Sequence, residues 1–364
     1  MTEQIPWFRP VVGEAETQAL AEIIAGGYLN DGDTTRRLET EMARFLGVSH
    51  AVAVTSGTAA VTVALMGLGI GPGCEVIVPD LTFIATANAV RLAGAEVKLV
   101  DVEPDRFTID VLAVAEAIGP RTAAIIAVDV NGRAPDYRKL EELAARRGLA
   151  LICDAAEGLG SRFDGQYLGS FGQAGCFSFS ANKTVTSGQG GLVVTNDARL
   201  HDRLRELKDQ GRLGGGTGGD DRHPVIGYNF KYTNLQAAVA LAQFERLPER
   251  LTALQTRDSL YRQHLAGLNR IVLPPSFPEA GEVCQWADIL CDDRAAIQQA
   301  LSEIGAGTRA FWHPLHRQPP YAQRDDQFPN AIDVSRRGLW LPSYLEITAD
   351  QIATVCNAVI RAAR

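Results

Sequence analysis

The chain has 364 residues, 46% hydrophobic and 21% charged, ordinary proportions for a globular protein that buries a sizeable core and could hold two domains. Its formal net charge of -8 argues against a nucleic-acid footprint, which needs a basic face, and the composition excludes disordered, collagen-like and disulfide-scaffold classes. Of 35 basic residues only five are lysine: Lys98, Lys139, Lys183, Lys208 and Lys231. Any chemistry that needs a lysine amine therefore has few candidates.

In chain order, an N-terminal helix is expected around 14–24, and its placement is open. From about residue 35 to 200, helix patterns alternate with short apolar runs, the pattern of an α/β domain with a mostly parallel sheet. Strands are predicted at 51–55, 75–78, 96–100, 123–128, 149–154, 176–180 and 191–195, and helices at 58–68, 136–147 and 197–207. The run 123–128 is apolar throughout, as expected when helices cover both sheet faces. Residues 211–221 read as a mobile Gly- and Asp-rich loop. Helices follow at 233–247 and 250–268. After about 273 the style changes to a smaller α+β lobe with two short strands, a helix at 294–304 and a terminal helix from Ala349. The expected division is a large domain at 1–245 and a small one at 246–364. No apolar run approaches the roughly 18 residues of a membrane span, and residues 1–27 lack a signal pattern, so a cytoplasmic location is expected. The six cysteines have no CxxC spacing and read as reduced, buried thiols.

Gly214, Gly216 and Gly219 have the spacing of a dinucleotide fingerprint, but no strand precedes them and no helix starts at the third glycine. The segment Ser56-Gly57-Thr58 lies where a strand meets a helix start. Free N–H groups and hydroxyls there suit a phosphate, although an ordinary Ser/Thr N-cap accounts for the segment as well. Asp154 closes an apolar strand, at the carboxyl edge where α/β proteins bind ligands; it is either a ligand carboxylate or a helix cap. Lys183 is the only lysine at a strand end among small and hydroxyl residues, whereas the other four read as solvated or snorkelling amines. An acid, a lysine and a phosphate-type helix start together are what pyridoxal 5'-phosphate requires.

The motifs Thr55-Ser-Gly-Thr58, 69–79, 82–88, Asp154-Ala-Ala-Glu157, 177–183, Gly188-Gln-Gly-Gly191, Thr195-Asn-Asp197 and 227–234 extend this. Over nearly its whole length the chain resembles the DegT-StrS group of nucleotide-sugar aminotransferases, which are fold type I pyridoxal-phosphate enzymes. The resemblance implies that Lys183 bonds covalently to the cofactor and then moves the proton, and that Asp154 meets the ring nitrogen. It implies that Phe83 stacks on the ring, and that Gly57, Thr58 and Ser178 hold the phosphate with Asn229 of a neighbouring subunit in a homodimer. Glu157 is assigned to the cofactor as well, and Tyr28, Asn30, Asn182, Arg309, His313 and His316 to the substrate. No metal is expected, because His313 and His316 have no further ligands nearby. The stretch 308–321 is similar to that of sugar C4-aminotransferases of the perosamine type. The substrates implied are L-glutamate and a nucleotide-linked keto-deoxyhexose, with a polysaccharide or a glycoside as the destination. Glu157, Gln189, Ala310, Thr62 and the segment Asp129-Val-Asn131 depart from common patterns. A C3-sugar or aminocyclitol aminotransferase and a non-catalytic regulator that binds the same cofactor are the alternatives.

Overall fold

A computed structural model describes residues 4–212 and 221–363. Helices α1 (Glu14–Gly26) and α2 (Asp33–Leu46) precede an alternating run: β1 (His50–Val54), α3 (Gly57–Gly67), β2 (Glu75–Pro79), α4 (Ala85–Leu92), β3 (Glu96–Val100), α5 (Val111–Ala117), β4 (Thr122–Val128), α6 (Tyr137–Arg147) and β5 (Ala150–Asp154). A small hairpin, β6 (Arg162–Phe163) and β7 (Gln166–Tyr167), leads to β8 (Ala174–Ser178), β9 (Gly191–Thr195) and α7 (Ala198–Lys208). Helices α8 (Asn234–Glu245) and α9 (Leu247–Leu265) follow. The chain ends with β10 (Ile271–Val272), β11 (Asp288–Cys291), α10 (Arg294–Glu303), β12 (Arg309–Ala310), α11 (Pro329–Arg337), β13 (Gly338–Trp340) and α12 (Ala349–Ala362).

Seven strands form one sheet in the order β1-β9-β8-β5-β4-β2-β3. Pairs from β8 through β5, β4 and β2 to β3 are parallel; β9 runs antiparallel to both β1 and β8. The carboxyl ends of β2, β4, β5 and β8 therefore lie on one edge, and β1 delivers the start of α3 to the same edge. Strand β4 is buried along nearly its whole length because helices cover both faces. Ser56 caps α3 by accepting the Ala59 N–H at 3.1 Å, so α3 starts where β1 ends.

The second sheet is antiparallel, in the order β10-β11-β13-β12. It has four strands where two were expected; β10 and β12 are two-residue pairings that no sequence period marks. The sheet shares a hydrophobic cluster with α9, α10 and α12. The N-terminal segment crosses between the two parts: Ile5 pairs with Ala306, while α1 packs on α8, where Gln243 donates to Glu16 at 2.5 Å. A buried ion pair, Arg133 with Asp288 at 2.7 Å, joins the segment after β4 to β11.

Residues 213–220 of the Gly- and Asp-rich stretch lie outside the described residues, and Gly214, Gly216 and Gly219 with them. Lys208 corrects the reading of it as a solvated or snorkelling amine. It is buried at the end of α7 between Glu39 at 3.2 Å and Asp31 at 3.0 Å. All six cysteines are free, and all but Cys74 are buried. No helix among the described residues is long and apolar enough to cross a membrane.

Candidate active site

The strand ends at this edge surround a cavity of about 430 Å³. Its wall includes Ser56, Gly57 and Thr58 from the start of α3, Thr82, Phe83 and Thr86 after β2, Asp154 at the end of β5 with Glu157 after it, and Ser178 at the end of β8 with Asn182 and Lys183 after it. The small sheet contributes Arg309 and Trp340, and the segments before β11 and after β12 contribute Trp286 and Trp312. Sequence positions more than 100 apart meet here because parallel strands end side by side.

Asp154 is buried at the last position of β5. Thr86 donates its hydroxyl to one carboxylate oxygen at 2.8 Å, and the Ala156 N–H reaches the other at 3.3 Å. Thr82 bonds the Thr86 hydroxyl in turn, at 3.1 Å. Burial raises the Asp154 carboxyl above its ordinary value, although these hydrogen bonds and the nearby Lys183 cation pull it back. Such a carboxylate is poised for a cationic partner, and the nitrogen of a bound pyridinium ring provides one.

Lys183 points its amine at Glu157, with Nζ 3.1 Å from Oε1. The other oxygen of Glu157 accepts the Asn131 N–H at 2.9 Å, and the Trp286 indole N–H approaches Oε1 at 3.4 Å. Asn131 adopts a left-handed backbone (φ 56°) and is pinned by hydrogen bonds with Trp286 and Asp288. Beside it Asp129 is fully buried. Burial pushes its carboxyl well above the usual carboxylate range; the Tyr137 hydroxyl at 2.6 Å opposes this, and the Asp154 charge adds to it.

The phosphate end of the site has a physical signature. A Cβ at Gly57 would sit 2.9 Å from the Ser178 Cβ, so only glycine lets α3 begin this close to β8. The first N–H groups of α3 have no carbonyl partner in their own helix, and with the Ser178 and Thr58 hydroxyls they form a donor cradle for an anion. Phe83 lies on the wall with about half of its surface exposed (52%), an apolar face for a ring. Cradle, apolar face, buried carboxylate and lysine fit pyridoxal phosphate in kind.

The cavity thus gathers Gly57, Thr58, Phe83, Asp154, Glu157, Ser178, Lys183, Asn182 and Arg309 of the expected residues. Tyr28, Asn30, Asn229 and His313 are not on its wall within one chain. His316 is not on it either. Its ring is buried against Phe328, with Nδ1 2.6 Å from Asp80 and Nε2 3.0 Å from Asp325, so it ties the segment after β12 to the end of β2. Sequence reasoning missed Thr86, Trp286 and Trp340, whereas Trp312 was in reach as an aromatic beside Arg309. Thr86 stands four residues from Thr82 inside a motif already singled out, and that spacing on a helix start was the available signal.

Comparison with known proteins agrees with this chemistry. Residues 10–360 match the DegT/DnrJ/EryC1/StrS aminotransferase family. A GDP-perosamine synthase of Caulobacter vibrioides is 38% identical over 330 residues, 88% of each chain. That of Escherichia coli O157:H7 is 33% identical over 98% of this chain and 97% of its own. Among solved structures, S. venezuelae DesV in complex with a ketimine intermediate superposes with a TM-score of 0.92 at 34% identity, covering 96% of this chain and 94% of DesV. DesI, solved in the presence of its TDP-sugar product, gives 0.91 at 30% identity, covering 100% and 93%. The chain belongs to the DegT/DnrJ/EryC1/StrS aminotransferase family and is a pyridoxal-phosphate-dependent sugar aminotransferase.

Proposed function

We propose that this enzyme moves an amino group from L-glutamate to the keto carbon, at C4, of a nucleotide-linked keto-deoxyhexose. The glutamate leaves as 2-oxoglutarate before the sugar enters, and the amino sugar goes to polysaccharide or glycoside synthesis. Pyridoxal phosphate, when bound, supplies the carbonyl that takes up the amine and the ring that accepts electrons from the reacting carbon. Meeting of the Lys183 amine, the Asp154 carboxylate and the α3 cradle in one cavity carries the reading. The C4 position and the nucleotide rest on the likeness to the two GDP-perosamine synthases.

Each side chain has a part that its surroundings support. Gly57, Thr58 and Ser178 hold the phosphate, Phe83 covers one ring face, and Asp154 keeps the ring nitrogen protonated. Lys183 takes a proton from one carbon and returns it to the other, which requires its amine to be neutral at that moment. Glu157, within 3.1 Å, holds the lysine nitrogen in place between the two transfers. Trp286, Trp312 and Trp340 line the cavity with apolar surface that keeps water from the reacting carbon. Asn229 of a second copy would complete the phosphate site in a cytoplasmic homodimer, with Tyr28 and Asn30 near the sugar.

The experiment is a screen of GDP-, UDP- and dTDP-linked 4-keto-6-deoxyhexoses with L-glutamate, following 2-oxoglutarate and locating the new amine by NMR. C4 amination of a GDP sugar is expected; amination at C3, or of a cyclitol only, sinks the substrate assignment. Lys183→Ala should abolish both turnover and the borohydride-trapped bond between protein and cofactor.

A further inference from the structure

Three of the four tryptophans of the chain, Trp286, Trp312 and Trp340, stand on the cavity wall, and Trp7 packs against two of them. Trp7 lies 5.0 Å from Trp286 and 6.3 Å from Trp340, and Trp312 lies 5.0 Å from Trp340, between ring centroids. The guanidinium of Arg309 sits over two of them, 5.1 Å from the Trp7 ring and 5.4 Å from that of Trp340. A cation–π contact uses the charge of the guanidinium and leaves N–H donors for a ligand. Among the described residues no carboxylate pairs with Arg309, in contrast to the buried Arg133 with Asp288 and the largely buried Arg106 with Glu282. The indole N–H groups of Trp7 and Trp340 are also buried without a partner.

The other charges on the wall are committed. Asp154 is held by Thr86 and the Ala156 N–H, and Glu157 by Lys183 and the Asn131 N–H. Lys183 is reserved for the cofactor. Within the described chain, Arg309 is therefore the one cation on the wall left for the anionic part of a ligand. The reaction proposed above, on which this inference rests, brings two anionic ligands to the same cavity in turn. Glutamate carries carboxylates and the sugar nucleotide carries a diphosphate. Each must present its reacting carbon to the same lysine, and they never bind together.

We infer that Arg309, packed against the rings of Trp7 and Trp340, is a shared anion subsite that takes a donor carboxylate in the first half of the reaction and the acceptor diphosphate in the second. A planar fork of N–H donors suits both, because carboxylate and phosphate each offer two oxygens at matching spacing. The two indoles restrict the side chain before any ligand arrives, which lowers the entropy lost on each exchange.

The test separates the two sources of anion. The holoenzyme, in wild-type, Arg309→Gln and Arg309→Lys forms, is mixed with L-glutamate, and the apparent dissociation constant is read from the cofactor's absorbance change. Enzyme already reacted with glutamate and freed of 2-oxoglutarate is then mixed with the nucleotide keto-sugar and read in the same way. Arg309→Gln should weaken both by about 10- to 100-fold, and Arg309→Lys should restore part of each. A shift in one half with the other unchanged within about twofold overturns the shared subsite. A second measurement needs no variant. In wild-type holoenzyme, whose phosphate cradle is filled, glutarate binding is followed by tryptophan fluorescence while inorganic pyrophosphate is added. Competition is expected, and simultaneous binding overturns the inference. Wild-type enzyme that fails to react with glutamate or any of the keto-sugars would count against the proposed reaction instead, and the glutarate–pyrophosphate competition would still be decided on its own.

Discussion

Thr86 decides how strongly Asp154 resists protonation. Its hydroxyl donates to the carboxylate at 2.8 Å, in a place where burial otherwise drives that carboxyl above its ordinary value. A hydrogen bond to the charged form lowers the pKa, so removing it raises Asp154 further. Only ionised Asp154 can pair with a protonated ring nitrogen. Cofactor affinity should therefore fall as pH drops through the Asp154 value, and in Thr86→Val the fall should set in at higher pH. At neutral pH, loss of a hydrogen bond to a charged group should weaken cofactor binding by about tenfold. Equilibrium dialysis of the cofactor over a pH series reads both effects; an unshifted acid limb would show that Thr86 only fills space.

Helix α7 shows where an element can be read and its surroundings cannot. Its charged pattern gave the helix at 197–207, one residue from Ala198–Lys208, but placed Lys208 on a solvated face. The tertiary fold instead brings Glu39 of α2, Asp31 and the carbonyl of Ala53 in β1 around that amine. Burial raises the Glu39 carboxyl, but Lys208 and Arg205 outweigh it and hold the group below its ordinary value. A depressed carboxylate contributes stability that is full above the unfolded value of about 4.3 and is lost as pH falls through the lower folded value. Glu39→Gln should cost about 3 kcal/mol at pH 7, with the gap to wild type closing below about pH 4. Urea unfolding at several pH values checks both the size and the direction. Other elements follow the same division. Runs such as β4 and β5 were legible to within a residue because burial on both faces leaves an unbroken apolar string. Strand β8 begins two residues before the predicted start and includes Gly175, a residue disfavoured in strands; here it allows close contact, since a Cβ would lie 1.7 Å from the Gly169 carbonyl oxygen. Asp154 and the α3 start were legible because each stands at the end of an element; Lys183 was singled out as a strand-end lysine, but β8 stops at Ser178 and a loop carries Lys183 to the cavity. The cluster of Trp7, Trp286 and Trp340 was not legible, because these residues meet only once the small sheet docks.

At the scale of the molecule, that docking assembles the site from two sheets. Arg133 with Asp288, and Asn131 with Trp286, fix the segment after β4 to the segment leading into β11, so the wall carrying Arg309 and the wall carrying Lys183 are held in one frame. Away from the residues that line the cavity, large apolar side chains stand exposed: Ile226 at 84%, with Tyr28, Leu29 and Tyr228. Monomeric proteins rarely leave such groups uncovered in numbers, and a second copy is the covering proposed above. Asn229 lies in the same exposed run, away from its own chain's cavity, so its assignment to the phosphate has meaning only across an interface. Complementation tests this directly. A Lys183→Ala chain lacks the amine but carries an intact Asn229, and an Asn229→Ala chain has the reverse. In a mixed dimer one site would combine Lys183 of the second chain with Asn229 of the first, while the other site would lack both. Random pairing makes half of the dimers mixed, so co-expression should restore about a quarter of wild-type activity from two chains that are each impaired alone. If Asn229 serves its own chain instead, no mixed dimer contains an intact site, and activity should not exceed the mean of the two single variants.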